Sequence, residues 1–335
     1  MVDYSQYGQA LIIRQLITPD TPRIVVDIGA HDGISGSNSR ALLEQGWQGL
    51  LVEPLPAVFA QLRDNCRALP GVACVQAACS DRDGRALICI GKDGTCGQMS
   101  SLSPDPAIAP NLSPQCCEVT TLTLATLFAD YRVPEDFGVL LVDTEGWDLT
   151  VLRGLEKVRT RPRIIATEDF VSTNLEKYEL LGTLGYRYTG SWGSDSIWIG
   201  QQQQVDTRGL RFPVFRLPES WKPDGRCAGP ARVMFDKHAS PGYSLVGWAW
   251  SRQNESPQEN VIVSLRGLQT GQEDFFQASR IPRPDVAEVF HSPDLLMSGF
   301  RAFVDVADGT YDLTVIQQGH GWYTSDCAGH ISLPG

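Results

Sequence analysis

The chain has 335 residues, 42% of them hydrophobic and 20% charged, a composition that supports a globular core and excludes a disordered, collagenous or coiled-coil chain. Net charge is −11, divided as −8 up to residue 200 and −3 beyond it, so no basic surface is banked for nucleic acid, whose phosphates demand one. The longest apolar runs, such as GVLLV at 138–142, fall far short of the roughly 18 residues that a membrane span needs.

The N-terminal stretch MVDYSQYGQALIIRQL shows no basic segment leading into a continuous apolar one, so no secretory signal is read and a cytoplasmic location is expected. The nine cysteines (Cys66, Cys74, Cys79, Cys89, Cys96, Cys116, Cys117, Cys227 and Cys327) form an odd set without a CxxC. They read as small buried residues or free thiols, the adjacent Cys116 and Cys117 included, rather than as a disulfide framework or a zinc site.

Over the first 200 residues, short β-branched runs (IVVDIG, GLLVEP, VACVQAAC, VLLVDTE, RIIATED) alternate with amphipathic stretches, which predicts βαβ units around a parallel sheet. The first strand, 23–28, leads into a Gly-rich turn and a helix in SNSRALLEQG, capped by Ser37 or Asn38 and closed by Gly46. The second, 49–53, precedes the helix PAVFAQLRDNCRAL, with Val58, Phe59, Leu62, Cys66 and Leu69 at helical spacing. A Pro/Ser-rich insertion at 97–116, with Ser100 and Ser101, is either a lid or a plain surface loop. The basic RTRPR at 159–163 reads as a solvated helix end. The segment GYRYTGSWGSDSIWIG, 185–200, predicts a terminal β-hairpin, whereas a dinucleotide-binding sheet is wholly parallel.

The QQQQ tract at 201–204 opens a Pro-containing stretch read as a linker, giving domains at 1–200 and 231–335 with 201–230 between them. Beyond it, YSLVGWAW, NVIVSLRG, DFFQAS, GFRAFVDV, GTYDLTVI and GHISL predict a small antiparallel β-sandwich. Trp248 and Trp250 share a strand face and either stack on a sugar or fill the core. His238, His291, His320 and His330 have no ligand spacing.

The chemistry begins at VVDIGAHDG, 25–33, where a strand ending in Asp27 runs into Gly29, Ala30, His31, Asp32 and Gly33, small residues that let the backbone approach a nucleotide. The next strand ends in Glu53, followed by Pro54, and a carboxylate there can accept hydrogen bonds from both ribose hydroxyls. G-x-G-x-x-G is absent and the turn carries acids, which repel a pyrophosphate. Asp27 and Asp32 suit a cationic ligand instead, as the sulfonium and ammonium of S-adenosylmethionine are.

VDIGAHDGISGSNSRALLEQGWQGLLVEPLPAVFAQLRDN followed by LLVDTEGWDLTVLRGL resembles the FkbM family of S-adenosylmethionine-dependent methyltransferases, over about residues 8–200. The resemblance implies a class I methyltransferase fold, a Rossmann-like α/β sheet with a terminal β-hairpin. It also implies methyl transfer to an oxygen, with sugars or glycosylated natural products as acceptors. Carried over, it makes Asp27, Gly29, Ala30, Asp32 and Gly33 the cofactor loop, Ser37 and Asn38 the start of the following helix, and Glu53 the ribose acid. Ala78, Ser80 and Asp81 in QAACSDRDG match the stretch that closes on the adenine. His31 departs from the pattern, which more often has Asn or another small polar residue there.

A second constellation is VDTEGWD, 142–148, with Asp143 and Glu145 at the end of an apolar strand, where α/β sheets bind ligands. Strict strand alternation points both acids to one side. Glu168 and Asp169 end the next strand, and four carboxylates at two adjacent strand ends suit a base with an orienter or a hard cation such as Mg²⁺, held by Asp143, Glu168 and Asp169. A sugar hydroxyl is a poor nucleophile until its proton is taken. Asp143 is the favoured base or metal ligand and is also a candidate cofactor contact; Glu145, Glu168 and Asp169 assist, and His31 is the alternative base. The competing reading makes Asp143 and Glu145 caps of the helix that begins near Trp147. Asn174 and Lys177 either reach substrate or are solvated helix surface.

The whole reads as an O-methyltransferase of polysaccharide or glycoconjugate biosynthesis, soluble and able to form a homo-oligomer. A noncatalytic glycan-binding protein with a degenerate methyltransferase domain and, more distantly, a nicotinamide-dependent oxidoreductase are the alternatives.

Overall fold

In the computed structural model, the described residues are 2–6, 8–91, 100–102, 112–168, 174–192, 195–205, 222–223, 234–237, 243–248, 260–281, 298–304, 306, 309–319 and 322–333. The chain divides into two compact units, 1–189 with 195–205 and 190–194 with 206–335. Most of the 201–230 stretch lies outside the described residues.

In the first unit the elements run α1 (Gln9–Leu16), β1 (Ile24–Ile28), α2 (Arg40–Leu43), β2 (Gln48–Val52), α3 (Pro56–Cys66), β3 (Val72–Val75), β4 (Ala78–Cys79), β5 (Gly84–Gly91) and β6 (Leu112–Leu122). They continue with α4 (Leu124–Asp130), β7 (Asp136–Val142), α5 (Asp148–Arg153), β8 (Arg161–Glu168), α6 (Asn174–Thr183), β9 (Tyr186–Trp192) and β10 (Asp195–Gly200). The central sheet has the order β3-β2-β1-β7-β8-β10-β9. Its first five strands are parallel and β10 runs antiparallel to β8. The two-residue link between β9 and β10 makes them the expected hairpin, since only antiparallel neighbours can be joined so tightly.

The central strands are buried on both faces, which is why they read as continuous apolar runs rather than alternating ones. Val25, Val26, Val139, Leu140, Ile164 and Ile165 are fully enclosed. From β1 the order runs to β2 and β3 on one side and to β7 and β8 on the other, so the crevice at the carboxyl ends of β1 and β7 is the switch point where such sheets bind ligands.

Three local expectations change. VACVQAAC is two strands, β3 in the central sheet and β4 in a second, three-stranded sheet ordered β4-β6-β5. The helix in SNSRALLEQG is one turn long and follows Ser39, which makes no side-chain cap; Ser37 accepts the Arg40 N–H at 3.0 Å ahead of it, while Asn38 is used elsewhere. RTRPR is no solvated helix end. Arg161 and Arg163 lie on β8, where Arg161 donates to the carbonyls of Leu155, Val158 and Thr160. Arg163 forks onto Asp136 at 3.0 and 2.8 Å and reaches Asp20 at 2.7 Å, a geometry that suits guanidinium and carboxylate.

The second unit contributes β11 (Lys222–Pro223), β12 (Met234–Lys237), β13 (Tyr243–Trp248), β14 (Asn260–Gly267), β15 (Glu273–Ile281), β16 (Gly299–Val304), β17 (Gly309–Gly319) and β18 (Trp322–Leu333). One antiparallel ladder runs β18-β17-β14-β15 and another β12-β13-β16, which meets the last residues of β15. Alternate residues of both ladders, among them Leu245, Val261, Val263, Phe300, Ala302 and Leu313, enter one apolar core, as a period of two requires. Trp250, His238, His291 and His320 lie outside the described residues, as does the side chain of Trp248. His330 is exposed on β18 and 2.5 Å from the Asp312 carboxylate.

Candidate active site

The turn after β1 is shaped by the chain itself. Gly29 has φ +89°, and a Cβ there would lie 1.7 Å from the Asp143 carbonyl oxygen, so the first glycine is required by the close approach of β7 rather than by a ligand. At Gly33, φ +73°, a Cβ would meet Leu62 at 2.6 Å. Between them His31 adopts the left-handed region at φ 48°, uncommon for a residue with a Cβ. Its two ring nitrogens are buried without a hydrogen-bond partner, and Nδ1 is 3.6 Å from Asp32. Asp32 is committed to the turn: it accepts the N–H groups of Ile34 and Ser35 at 2.8 and 2.7 Å and the Ser35 hydroxyl at 2.7 Å. Burial raises its carboxyl, but these bonds outweigh that and hold it below the usual range.

Asp27 and Glu53, at the ends of β1 and β2, are each 6% exposed. Burial pushes Asp27 up to about 6, countered by the Ser39 hydroxyl at 2.5 Å. It pushes Glu53 up to about 7 against hydrogen bonds from the Leu55 and His31 N–H groups, the first 2.8 Å long. Pro54 is half-buried beside it.

The second acidic group assembles for a reason other than strand alternation. β7 stops at Val142, and Glu145 turns back in the left-handed region at φ 52°, followed by Gly146 at φ 89°. That turn, not a shared strand face, brings carboxylate oxygens of Asp143, Glu145 and Glu168 within 4.8 Å of one another. Asp143 is exposed to solvent, with protein packed densely about its carboxyl. Burial first, and then repulsion from Asp148, push its carboxyl up to about 7, while the Glu168 carboxyl and the Glu145 N–H hydrogen-bond to it. Glu168 is raised well above its ordinary value by burial, then by Asp143 and Glu145, and its Oε2 is buried without a partner. Asp169 and the side chain of Asn174 lie outside the described residues.

α5 begins after Trp147 with no side-chain cap, so neither Asp143 nor Glu145 caps it, and Asp148, its first residue, turns its carboxylate back onto the preceding turn. Its carboxylate accepts the Thr144 and Gly146 N–H groups, each at 3.2 Å, and is 2% exposed. Burial pushes Asp148 up to about 6 and the charge of Lys177 pulls it down. Lys177 is fully buried, not solvated, and its ammonium donates to the Glu168 carbonyl. Asp195, opposite Glu168 in the β8–β10 register, accepts the Asn38 amide at 3.0 Å. Asp148 and Asp195 were not singled out in the sequence, and Lys177 was read there only as a substrate contact or solvated helix surface.

Ser80 and Asp81 hydrogen-bond to each other at 3.2 Å, and the Trp147 indole donates to Ser80 at 3.2 Å, tying that stretch to the VDTEGWD turn. Ala78 is buried against Leu55, Val58, Ile88 and Val119. Ser101, from the Pro/Ser-rich stretch, is 2% exposed and donates to the Glu145 carbonyl at 2.5 Å.

The raised carboxyls set a pH dependence. Asp27, Glu53, Asp143 and Asp148 keep protons in the fold that an unfolded chain releases from about pH 4 upward, until they ionise at about 6 to 7. Stability of the free protein is therefore expected to fall as pH rises through that window, as thermal unfolding across pH would read. A midpoint that climbs instead would show these acids ionised in the fold.

A parallel sheet with one reversed strand before its edge, and acids at the carboxyl ends of β1, β2, β7 and β8, is the fold of a class I methyltransferase. Residues 27–188 match the model of the methyltransferase FkbM domain, and this part of the chain belongs to that family. Similar solved structures include methyltransferase FkbM from Methylobacillus flagellatus KT, at 14% identity and TM-score 0.36 over 53% of this chain and 43% of that one. Precorrin-6y C5,15-methyltransferase from Geobacter metallireducens GS-15 matches at 14% identity and TM-score 0.33 over 57% and 85%. A SAM dependent methyltransferase from Aquifex aeolicus matches at 10% identity and TM-score 0.33 over 58% and 88%. The match thus spans less than half the length of the Methylobacillus protein. No curated protein matches the chain.

Proposed function

We propose that the protein is an S-adenosylmethionine-dependent O-methyltransferase that acts on a hydroxyl of a sugar, glycoconjugate or glycosylated natural product. The observation that carries this reading is where the unsatisfied polar atoms sit. Buried polar atoms of His31, Thr144 and Glu168 lack partners, and these three residues lie at or just beyond the carboxyl ends of β1, β7 and β8, with a further such atom on Asn38 ahead of α2. Native proteins leave few such atoms, and a cluster in a strand-end crevice fits a site that a polar ligand completes.

The residues present fit the cofactor: Glu53 would take the ribose hydroxyls, and Asp27 and Asp143 offer negative charge to a sulfonium and an ammonium. When bound, S-adenosylmethionine supplies an electrophilic methyl group. Asp143 accepts the proton of the acceptor hydroxyl, and Glu168, hydrogen-bonded to Asp143, holds it in place. His31, whose ring nitrogens face no partner, is the second candidate for that proton. Asp143, Glu145 and Glu168 also suit a divalent cation, which would supply Lewis acidity to the hydroxyl. The second unit is read as an accessory β-sandwich.

Calorimetric titration of the chelator-treated protein with S-adenosylmethionine, with and without magnesium and with NADH as the control, tests the reading. Glu53→Ala is expected to weaken binding by about 1.5–3 kcal/mol for each charge-assisted hydrogen bond lost, roughly 10- to 150-fold. Equal affinity in a folded Glu53→Ala protein, or no binding by the native one, would overturn it.

A further inference from the structure

The small sheet carries two thiols in register. Cys89 on β5 is directly opposite Cys116 on β6, and their Sγ atoms are 2.7 Å apart, both cysteines being free. The backbone explains the contact. The Cys89 N–H donates to the Ser101 carbonyl and the Cys89 carbonyl accepts the Ser101 N–H, each at 3.0 Å. Both polar groups of a strand residue point to the same side, so Cys89 turns them away from β6 and forms a non-hydrogen-bonded pair with Cys116. In such pairs the Cα atoms come to about 4.5 Å, within the range a disulfide spans. The preceding pair, Ile88 and Cys117, faces the other way into the apolar cluster with Leu55 and Val58, which keeps Cys117 from the same partner.

We propose that Cys89 and Cys116 form a reversible cross-strand disulfide site, oxidised by a low-molecular-weight disulfide of the glutathione class. Cys116 is exposed and meets the oxidant first. Its thiolate attacks one sulfur of the oxidant, forming a mixed disulfide and releasing one small thiol. The Cys89 thiolate then attacks Cys116 Sγ and displaces the second. The two protein thiols lose two protons and two electrons, and the oxidant becomes two thiols. The bond has a route to the acidic group, because Cys89 is bridged to Ser101 and the Ser101 hydroxyl is bonded to the Glu145 carbonyl. Oxidation fixes that chain of contacts to β6. This holds whether or not the protein transfers methyl groups.

The full chain, equilibrated in glutathione buffers of increasing oxidising strength, alkylated and cut with trypsin, gives the test. Cys89 falls in peptide 86–92, without another cysteine, and Cys116 in peptide 93–132. The expected product is a linked pair of these peptides, cleaved by reductant, with the bond assigned to Cys116 by fragmentation in the native chain. The link should persist in Cys117→Ser and Cys96→Ser and vanish in Cys116→Ser. Hydrogen exchange at the Cys89 and Ser101 amides should slow several-fold on oxidation. A link to Cys96 or Cys117, or glutathione left on Cys116 with no link, would overturn the proposal, and unchanged exchange would overturn the route to Glu145.

Discussion

Asp143→Asn is expected to slow methyl transfer by about 10²- to 10⁴-fold, the usual weight of a positioned general base, while leaving S-adenosylmethionine affinity within a few-fold. The side chain stands at the end of β7, hydrogen-bonded to Glu168 and held near pKa 7 by burial and by repulsion from Asp148, so near neutral pH it can take a proton and pass it on. In the native enzyme the rate should rise as pH passes about 7 and the base form fills; in the Asn variant that limb should be missing. Transfer of labelled methyl to a sugar acceptor, read beside calorimetric affinity, separates the outcomes. Loss of cofactor affinity would make Asp143 a cofactor contact. A native rate in Asp143→Asn that collapses in His31→Gln would move the base to His31.

Lys177→Met is expected to be the most damaging substitution for stability. Lys177 is fully buried, and it is the cation that draws down the carboxyl of almost equally buried Asp148, the first residue of α5, which holds the Thr144 and Gly146 N–H groups of the preceding turn. Removing one member of a buried charge pair costs about 3–5 kcal/mol because the other is left uncompensated. At roughly 2–4 °C per kcal/mol for a unit of this size, the unfolding midpoint should drop by about 10 °C. Asp148→Asn added to Lys177→Met should recover part of the loss. A single variant as stable as the native chain would show that Lys177 does not balance Asp148.

Part of this site was legible as pattern. Asp27 and Glu53 end apolar runs that only a parallel sheet explains, and a strand end in such a sheet is a place defined by chain order. The hairpin at Tyr186–Gly200 was likewise readable from two β-rich runs around a Gly/Ser turn. Other readings failed because they extended a local rule past the point where it applied. Alternation grouped Asp143 with Glu145, but β7 had already ended, and the left-handed turn at Glu145 and Gly146 does the grouping. Gly29 looked like room for a ligand and is room for the Asp143 carbonyl.

By itself, then, the sequence determined the α/β sheet, its reversed strand and the acids at its strand ends, because hydrophobic period and turn chemistry act over a few residues and are written there. Only the tertiary structure decided which charges share a site. Lys177, an unremarkable lysine on a helix, is buried because β8 and α6 fold it against Glu168 and near Asp148, which lie 9 and 29 positions away. Cys89 finds Cys116 across 27 positions through the register of β5 and β6. Burial and register are properties of packed elements, and no window of the chain contains them.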